Sequence, residues 1–168
     1  YKKAVAAQTE IYKEWRDVFQ YGDFYRVKTG NVREWLAVSP DKKRAVGMLV
    51  RVLAEPNTQT ERFFARGLDK DMIYRFYSVP ANVDIKQFGS LINTMAPVHV
   101  RQDSVLHNVI AKFVKMGGDA EDCTLRGDAL MNAGFALKQA FSGTGLNENV
   151  RVFPDFASRL YFIEAAED

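Results

Sequence analysis

Apolar residues recur at Val5, Ile11, Tyr12, Trp15, Val18 and Phe19, and Lys2, Lys3, Lys13, Glu14 and Asp17 fall between them. That spacing gathers apolar side chains on one side of a helix and predicts an amphipathic helix over residues 1–20. No Ser, Thr, Asp or Asn precedes it as a cap, and the first residue is Tyr1, not Met. A helix entered without a cap is expected of a piece of a longer chain. The pattern then shortens. Phe24-Tyr25-Arg26-Val27 and Trp35-Leu36-Ala37-Val38 are brief aromatic and β-branched runs with Thr29-Gly30-Asn31 as a turn between them. Ser39 to Lys43 is a second turn, and Ala45 to Glu55 reads as a long strand. In it Val46, Met48, Val50, Val52 and Ala54 share one face, Leu49 and Leu53 take the other, and Pro56-Asn57 ends the run. Arg62 to Ala65 and Met72 to Tyr77 are two more strands around Gly67 to Asp71, and Val150 to Phe153 and Ser158 to Glu164 close the series. Short strands with regular turns predict a mostly β fold, an antiparallel β-sandwich of Greek-key type.

The middle of the chain breaks this rhythm. Ile85, Phe88, Leu91, Ile92 and Met95 stand at helical spacing after Asp84, and Pro97 ends the segment. A second helix is expected from Asp103 or Ser104, carrying Val105, Leu106, Val109, Ile110, Phe113 and Val114, with Gly117-Gly118 as its stop. The pair reads as a helical insertion near residues 84–116. Each helix has an apolar stripe to bury against the sheet, its mate or a neighbouring chain.

Length and composition fit one globular domain with a core large enough to fold by itself. The 168 residues are 47% hydrophobic and 26% charged, with a net charge of only +2. Charges of both signs are interspersed, with no basic stripe of the kind that binds nucleic acid. No apolar run approaches the roughly 20 residues needed to span a bilayer. Cys123 is the single cysteine, so neither a disulfide framework nor zinc spacing is written in the sequence. With no Asn-x-Ser/Thr sequon, these features suit a reducing cytoplasm.

The search for chemistry returns little. Asp69, Asp71, Asp119, Glu121 and Asp122 all stand in turn-like contexts and read as solvated acidic turns, not as a catalytic pair. His99 and His107 are the only histidines, without an acidic partner at helical spacing, and read as structural. Cys123 has no sequence neighbour that would make a Cys–His dyad. Arg126-Gly127-Asp128 matches a three-residue adhesion motif, too short to stand alone. Gly143-Thr144-Gly145 lacks the Lys-Ser/Thr of a phosphate loop and reads as a hairpin. Trp15, Trp35 and most Tyr and Phe residues follow buried periodicity, so core packing is the default reading. Trp35 alternates as an inward or interface residue. The site expectation is therefore no catalytic, cofactor-binding or metal-binding residue.

Several phrases go together in a fixed order. They are Gln20-Tyr21-Gly22-Asp23-Phe24-Tyr25-Arg26, then Val38 to Ala45, then Arg66-Gly67-Leu68-Asp69. Phe88-Gly89-Ser90-Leu91-Ile92-Asn93, Gly127-Asp128-Ala129-Leu130-Met131-Asn132-Ala133-Gly134 and Phe156-Ala157-Ser158-Arg159-Leu160 follow. In this order they resemble the C-terminal part of bacterial α-galactosidases of glycoside hydrolase family 36. The stretch from Gln139 to Asn149 is longer than the resemblance leads one to expect. The resemblance implies that residues 1–20 are the last helix of a catalytic barrel and that residues 21–168 are a non-catalytic C-terminal sandwich packed on it. The parent would be a retaining, metal-free, cytoplasmic enzyme that hydrolyses terminal α-galactosyl groups of melibiose- or raffinose-type sugars. It would be a homo-oligomer, with two barrel aspartates as nucleophile and acid/base. No position here matches either aspartate motif. Two other classes compete: an autonomous carbohydrate-binding module, which needs an exposed aromatic platform, and an unrelated small enzyme, which needs a cleft with perturbed carboxylates.

Overall fold

A computed structural model describes residues 2–55, 61–79, 93, 99–102, 104–113, 120–140, 150–151, 153 and 155–166. In chain order it contains α1 (Lys2–Tyr21), β1 (Asp23–Thr29), β2 (Val32–Val38), β3 (Arg44–Arg51), β4 (Arg62–Phe63) and β5 (Ile73–Ser78). Then come α2 (Val105–Phe113), β6 (Asp122–Arg126), α3 (Gly127–Asn132), β7 (Phe135–Ala136), β8 (Gln139–Ala140), β9 (Val150–Arg151) and β10 (Ser158–Ala165).

Six strands form the main sheet in the order β1-β2-β3-β10-β5-β6, every pair antiparallel. The first three are consecutive hairpins. Gly30, at φ 53°, and Asn31 turn the chain from β1 to β2. Ser39 and Asp41 lock the next turn: the Ser39 hydroxyl donates to Asp41 Oδ1 at 2.6 Å, and the Lys43 N–H donates to the same oxygen at 3.0 Å. The last strand, β10, enters between β3 and β5, so the sheet is complete only when the chain's end arrives.

Period-two alternation divides the side chains between two faces. Leu36, Val38, Ala45, Leu49, Tyr74, Phe76, Tyr161 and Ile163 form one core with Phe63, Leu130, Leu137 and Phe153. Phe63 stands 5.4 Å from Phe76 and 5.2 Å from Tyr161 between ring centroids, and Phe76 stands 4.6 Å from Phe135. The second layer of the sandwich is thus slight: the antiparallel β4–β7 pair, α3 and the Phe153 segment. The other face carries Ala37, Val46 and Phe162, covered by Trp15 and Val18 of α1.

The hairpins, β5, β10 and the helix from Ser104 match expectation. Ser104 caps α2 through its Oγ, which accepts the His107 N–H at 3.1 Å. Three readings change. The strand expected to reach Glu55 stops at Arg51, one residue before Val52, whose N–H still donates to the Asn31 carbonyl across the β2–β3 pair. The 62–65 and 72–77 strands belong to different sheets. Asp122, read as part of an acidic turn, begins β6, and residues 127–132, to which the sequence assigns no element, form α3. The helix expected over Ile85 to Met95 lies outside the described residues except for Asn93. That residue pairs with Val100 through both side-chain atoms, at 2.6 and 3.1 Å. The Gln139–Asn149 stretch is described only at 139–140.

Candidate functional site

The acidic candidates do not converge. Asp69 Oδ1 accepts the Asp71 N–H at 2.9 Å, a local turn bond, and exposed Asp71 pairs with Arg126 at 3.3 Å. Asp122 is exposed and takes two bonds from Arg75, at 2.9 and 2.7 Å, which hold its carboxyl below the usual range. Asp119 lies outside the described residues, as do Gly143 to Gly145. Glu121 is the exception to the solvated-turn reading. It is buried, its Oε1 accepts the Lys138 N–H at 2.8 Å, and its own N–H donates to Ser78 Oγ at 3.0 Å. Its neighbours in sequence, Asp119 and Asp122, suggested a wet turn. The start of β6 beside Ser78 makes it an internal acceptor instead.

The histidines sit apart in character: His99 is exposed, and His107 is buried in α2. Among the described residues no group of three His, Cys, Asp or Glu side chains has metal-holding geometry. Cys123 lies half-buried on β6, and burial pushes its thiol up to about 11, where the nucleophilic thiolate is scarce at neutral pH. In the Arg126-Gly127-Asp128 tripeptide, Arg126 contacts Asp71 and Asp128, and Gly127 is buried.

The motif phrases are packing junctions. A Cβ at Gly127 would lie 1.9 Å from the Asp69 carbonyl oxygen, so only glycine lets the start of α3 touch that loop. Its N–H donates to Met72 O at 2.9 Å, and the Asp128 N–H donates to Lys70 O at 3.1 Å. Gly67, at φ 72°, would drive a Cβ to 2.5 Å from the Tyr25 ring. Tyr74 completes the knot. Its hydroxyl donates to Lys42 O at 2.8 Å and accepts the Asp69 N–H at 3.0 Å. The phrases near Tyr25, Gly67 and Gly127 thus meet around β1, β5 and α3, far apart in sequence and close in space.

The α1 face offers a different surface. Trp15 packs on Phe162 at 4.9 Å, and the Arg44 guanidinium caps its ring at 4.0 Å. Beside the helix, Phe19, Phe24, Trp35, Met48 and Leu160 line a cavity of about 270 Å³ whose lining residues are all apolar. Trp35 is half-buried there. Tyr77 lies on β5, three strand spacings from β2, roughly 14 Å away. Its ring contacts Phe162, its hydroxyl donates to Glu164 at 3.1 Å, and burial and that carboxylate push it up to about 12. Trp35 and Tyr77 therefore do not make one platform.

One group escaped the search for acids. Glu34 on β2 is 2% exposed, and burial raises its carboxyl to about 7. Its Oε2 accepts the Phe64 N–H at 3.0 Å. Nearby, Arg51 donates to Glu61 Oε1 at 3.0 and 2.7 Å, to the Phe153 carbonyl as well, and lies over the Phe153 ring. The signal was legible: Glu34 is in phase with Leu36 and Val38, both core residues. Glu34 does not line the apolar cavity.

Comparison with known proteins fits this geometry. Residues 32–163 match the family described as Glycosyl hydrolase family 36 C-terminal domain. The alpha-galactosidase AgaA of Geobacillus stearothermophilus is 36% identical over 76 residues, 44% of this chain and 10% of that protein. The bifunctional alpha-galactosidase/sucrose kinase AgaSK of Mediterraneibacter gnavus is 29% identical over 76 residues, 44% of this chain and 8% of that protein. The alpha-galactosidase of Lactobacillus brevis superposes with a TM-score of 0.61 at 24% identity, covering 99% of this chain and 17% of that one. AgaA in complex with raffinose gives 0.60 at 23%, covering 98% and 16%. The chain thus spans a small fraction of each relative, its fold is theirs, and it belongs to glycosyl hydrolase family 36 as the C-terminal domain.

Proposed function

We propose that this chain is the non-catalytic scaffold domain of a cytoplasmic, retaining α-galactosidase. The parent removes terminal α-galactosyl groups from oligosaccharides of the melibiose and raffinose type. A catalytic barrel in the same polypeptide performs the double displacement with two aspartates and no metal. The relatives support the substrate class, since variants of AgaA are described in complex with raffinose and with stachyose. Both steps of such a reaction need two carboxylates about 5 Å apart across the scissile bond. Here Asp69, Asp71, Glu121 and Asp122 are each engaged in a separate structural contact.

The observation that carries the scaffold reading is the two-sidedness of α1. Trp15 and Val18 are buried against the sheet, whereas Val5, Tyr12 and Phe19 remain exposed, with Tyr12 stacked on Phe19 at 6.1 Å. A helix apolar on two sides belongs between two bodies. The sheet is one and the barrel is the other, and the remaining apolar surface is available for subunit contacts. The carbohydrate-module reading is weaker, because sugar hydroxyls entering the apolar cavity would lose water without gaining partners. The test is an assay of the purified chain on an aryl α-galactoside. No turnover above the blank is expected. Turnover abolished by Asp69→Asn or Glu121→Gln would overturn the proposal.

A further inference from the structure

Two polar contacts fasten segment 61–65 to the main sheet, and one of them is made by an unpaired buried acid. Segment 61–65 is fastened to the second layer by backbone bonds: Glu61 O accepts the Leu137 N–H at 2.9 Å, and the Ala65 N–H donates to Leu130 O at 3.1 Å. It is fastened to the main sheet by polar side chains, Glu34 at the Phe64 N–H and Arg51 at Glu61. The two fastenings differ in charge balance. Arg51 and Glu61 neutralise each other at 2.7 Å, with side chains only 3% and 11% exposed. Glu34 has no such partner among the described residues. Its Oε1 is buried and makes no hydrogen bond.

The groups around it explain why. From β3, Arg51 directs Nε and Nη2 to Glu61 and Nη1 to Phe153 O. From the chain before β4, the Glu61 carboxylate repels a second negative charge. From the chain after β4, exposed Arg66 attracts one from a distance. From β1, Tyr25 shares the sheet face one cross-strand pair further along, opposite Leu36, and packs at Gly67. An ionised Glu34 would be a buried anion beside another anion with no cation in hydrogen-bond contact, which is costly. A neutral one still accepts the Phe64 N–H.

We propose that Glu34 is a proton-operated latch between the six-stranded sheet and segment 61–65, closed when the carboxyl holds its proton and released when the proton leaves. The sign follows from linkage. When the segment opens, Glu34 meets water and returns to its ordinary value of 4.5, against about 7 when closed. Opening then releases a proton at any pH between those values, so its equilibrium constant rises about tenfold per pH unit in that window and levels off above it. The latch does not depend on the scaffold reading, since every group in it belongs to this chain.

The test is amide hydrogen exchange at Phe64 from pH 5 to 8.5, corrected for the intrinsic pH dependence of exchange. Protection should fall steeply up to about pH 7 and then flatten, and in Glu34→Gln it should lose this extra dependence. Carboxyl ¹³C titration of the unsubstituted chain gives a reading that does not rely on the variant folding. A Glu34 midpoint near 7 supports the latch. A midpoint below 5, or Phe64 protection with the same pH profile in both proteins, overturns it.

Discussion

The two faces of the main sheet are finished to different degrees. On one face, Phe63, Phe76, Phe135 and Tyr161 meet ring to ring, and Leu130, Leu137 and Phe153 close the layer with residues of this chain alone. On the other face α1 alone among the described residues covers Ala37, Val46 and Phe162, with a 270 Å³ apolar cavity at its flank and Tyr12, Phe19 and Phe24 exposed. The first face is a core. The second has the chemistry of a core and the exposure of a surface, which is the mark of an interface.

Substitutions should separate the faces. Phe76→Ala removes a fully buried ring from the closed face and should cost about 3–5 kcal/mol of unfolding free energy, by urea denaturation of this chain. A loss below about 1 kcal/mol would mean that this face is not the core. Glu61→Gln should cost about 3 kcal/mol in the same measurement, because it leaves Arg51 charged and buried without its anion.

Next is the pH dependence. A carboxyl with a raised folded-state pKa contributes stability that is full below its unfolded value and lost as pH rises through the folded one. For Glu34 the ordinary value is 4.5, and burial raises the folded one to about 7. The melting temperature should therefore fall between pH 5 and 8, and Glu34→Gln should flatten the decline. An unchanged slope in the variant would assign it to other groups.

The smallest effect is expected on the open face. Phe19→Ser is 41% exposed in this chain and should change its stability by less than about 1 kcal/mol. In the parent enzyme proposed above the same change should loosen the proposed contact between barrel and sandwich. A large loss in the isolated chain would show that Phe19 already belongs to a finished core.

Much of this was legible in the sequence, for a physical reason in each case. The helix, the hairpins and β10 follow from local periodicity, and Gly30 and Ser39 to Lys43 have the chemistry of their turns. β6 was missed because Asp122, Thr124 and Arg126 point outward and leave only Cys123 and Leu125 as its apolar signal. Its strand state comes from pairing with β5. The separation of β4 from β5 could not be read locally either, because Phe63 finds Phe135 across more than seventy residues. Glu121 was misread because burial is decided by Ser78 and Lys138, which no local pattern connects to it. The motif phrases were recognisable as phrases, but their meaning as a knot of Tyr25, Gly67, Asp69 and Gly127 required the fold.

The central claim is that the α1 face is where the rest of the polypeptide sits. Hydroxyl-radical footprinting of aromatic side chains measures it directly, comparing this chain with the longer protein that contains it. The account predicts that Tyr12, Phe19 and Phe24 are oxidised readily in the isolated chain and are protected several-fold in the longer protein. Equal oxidation of all three in both would contradict it.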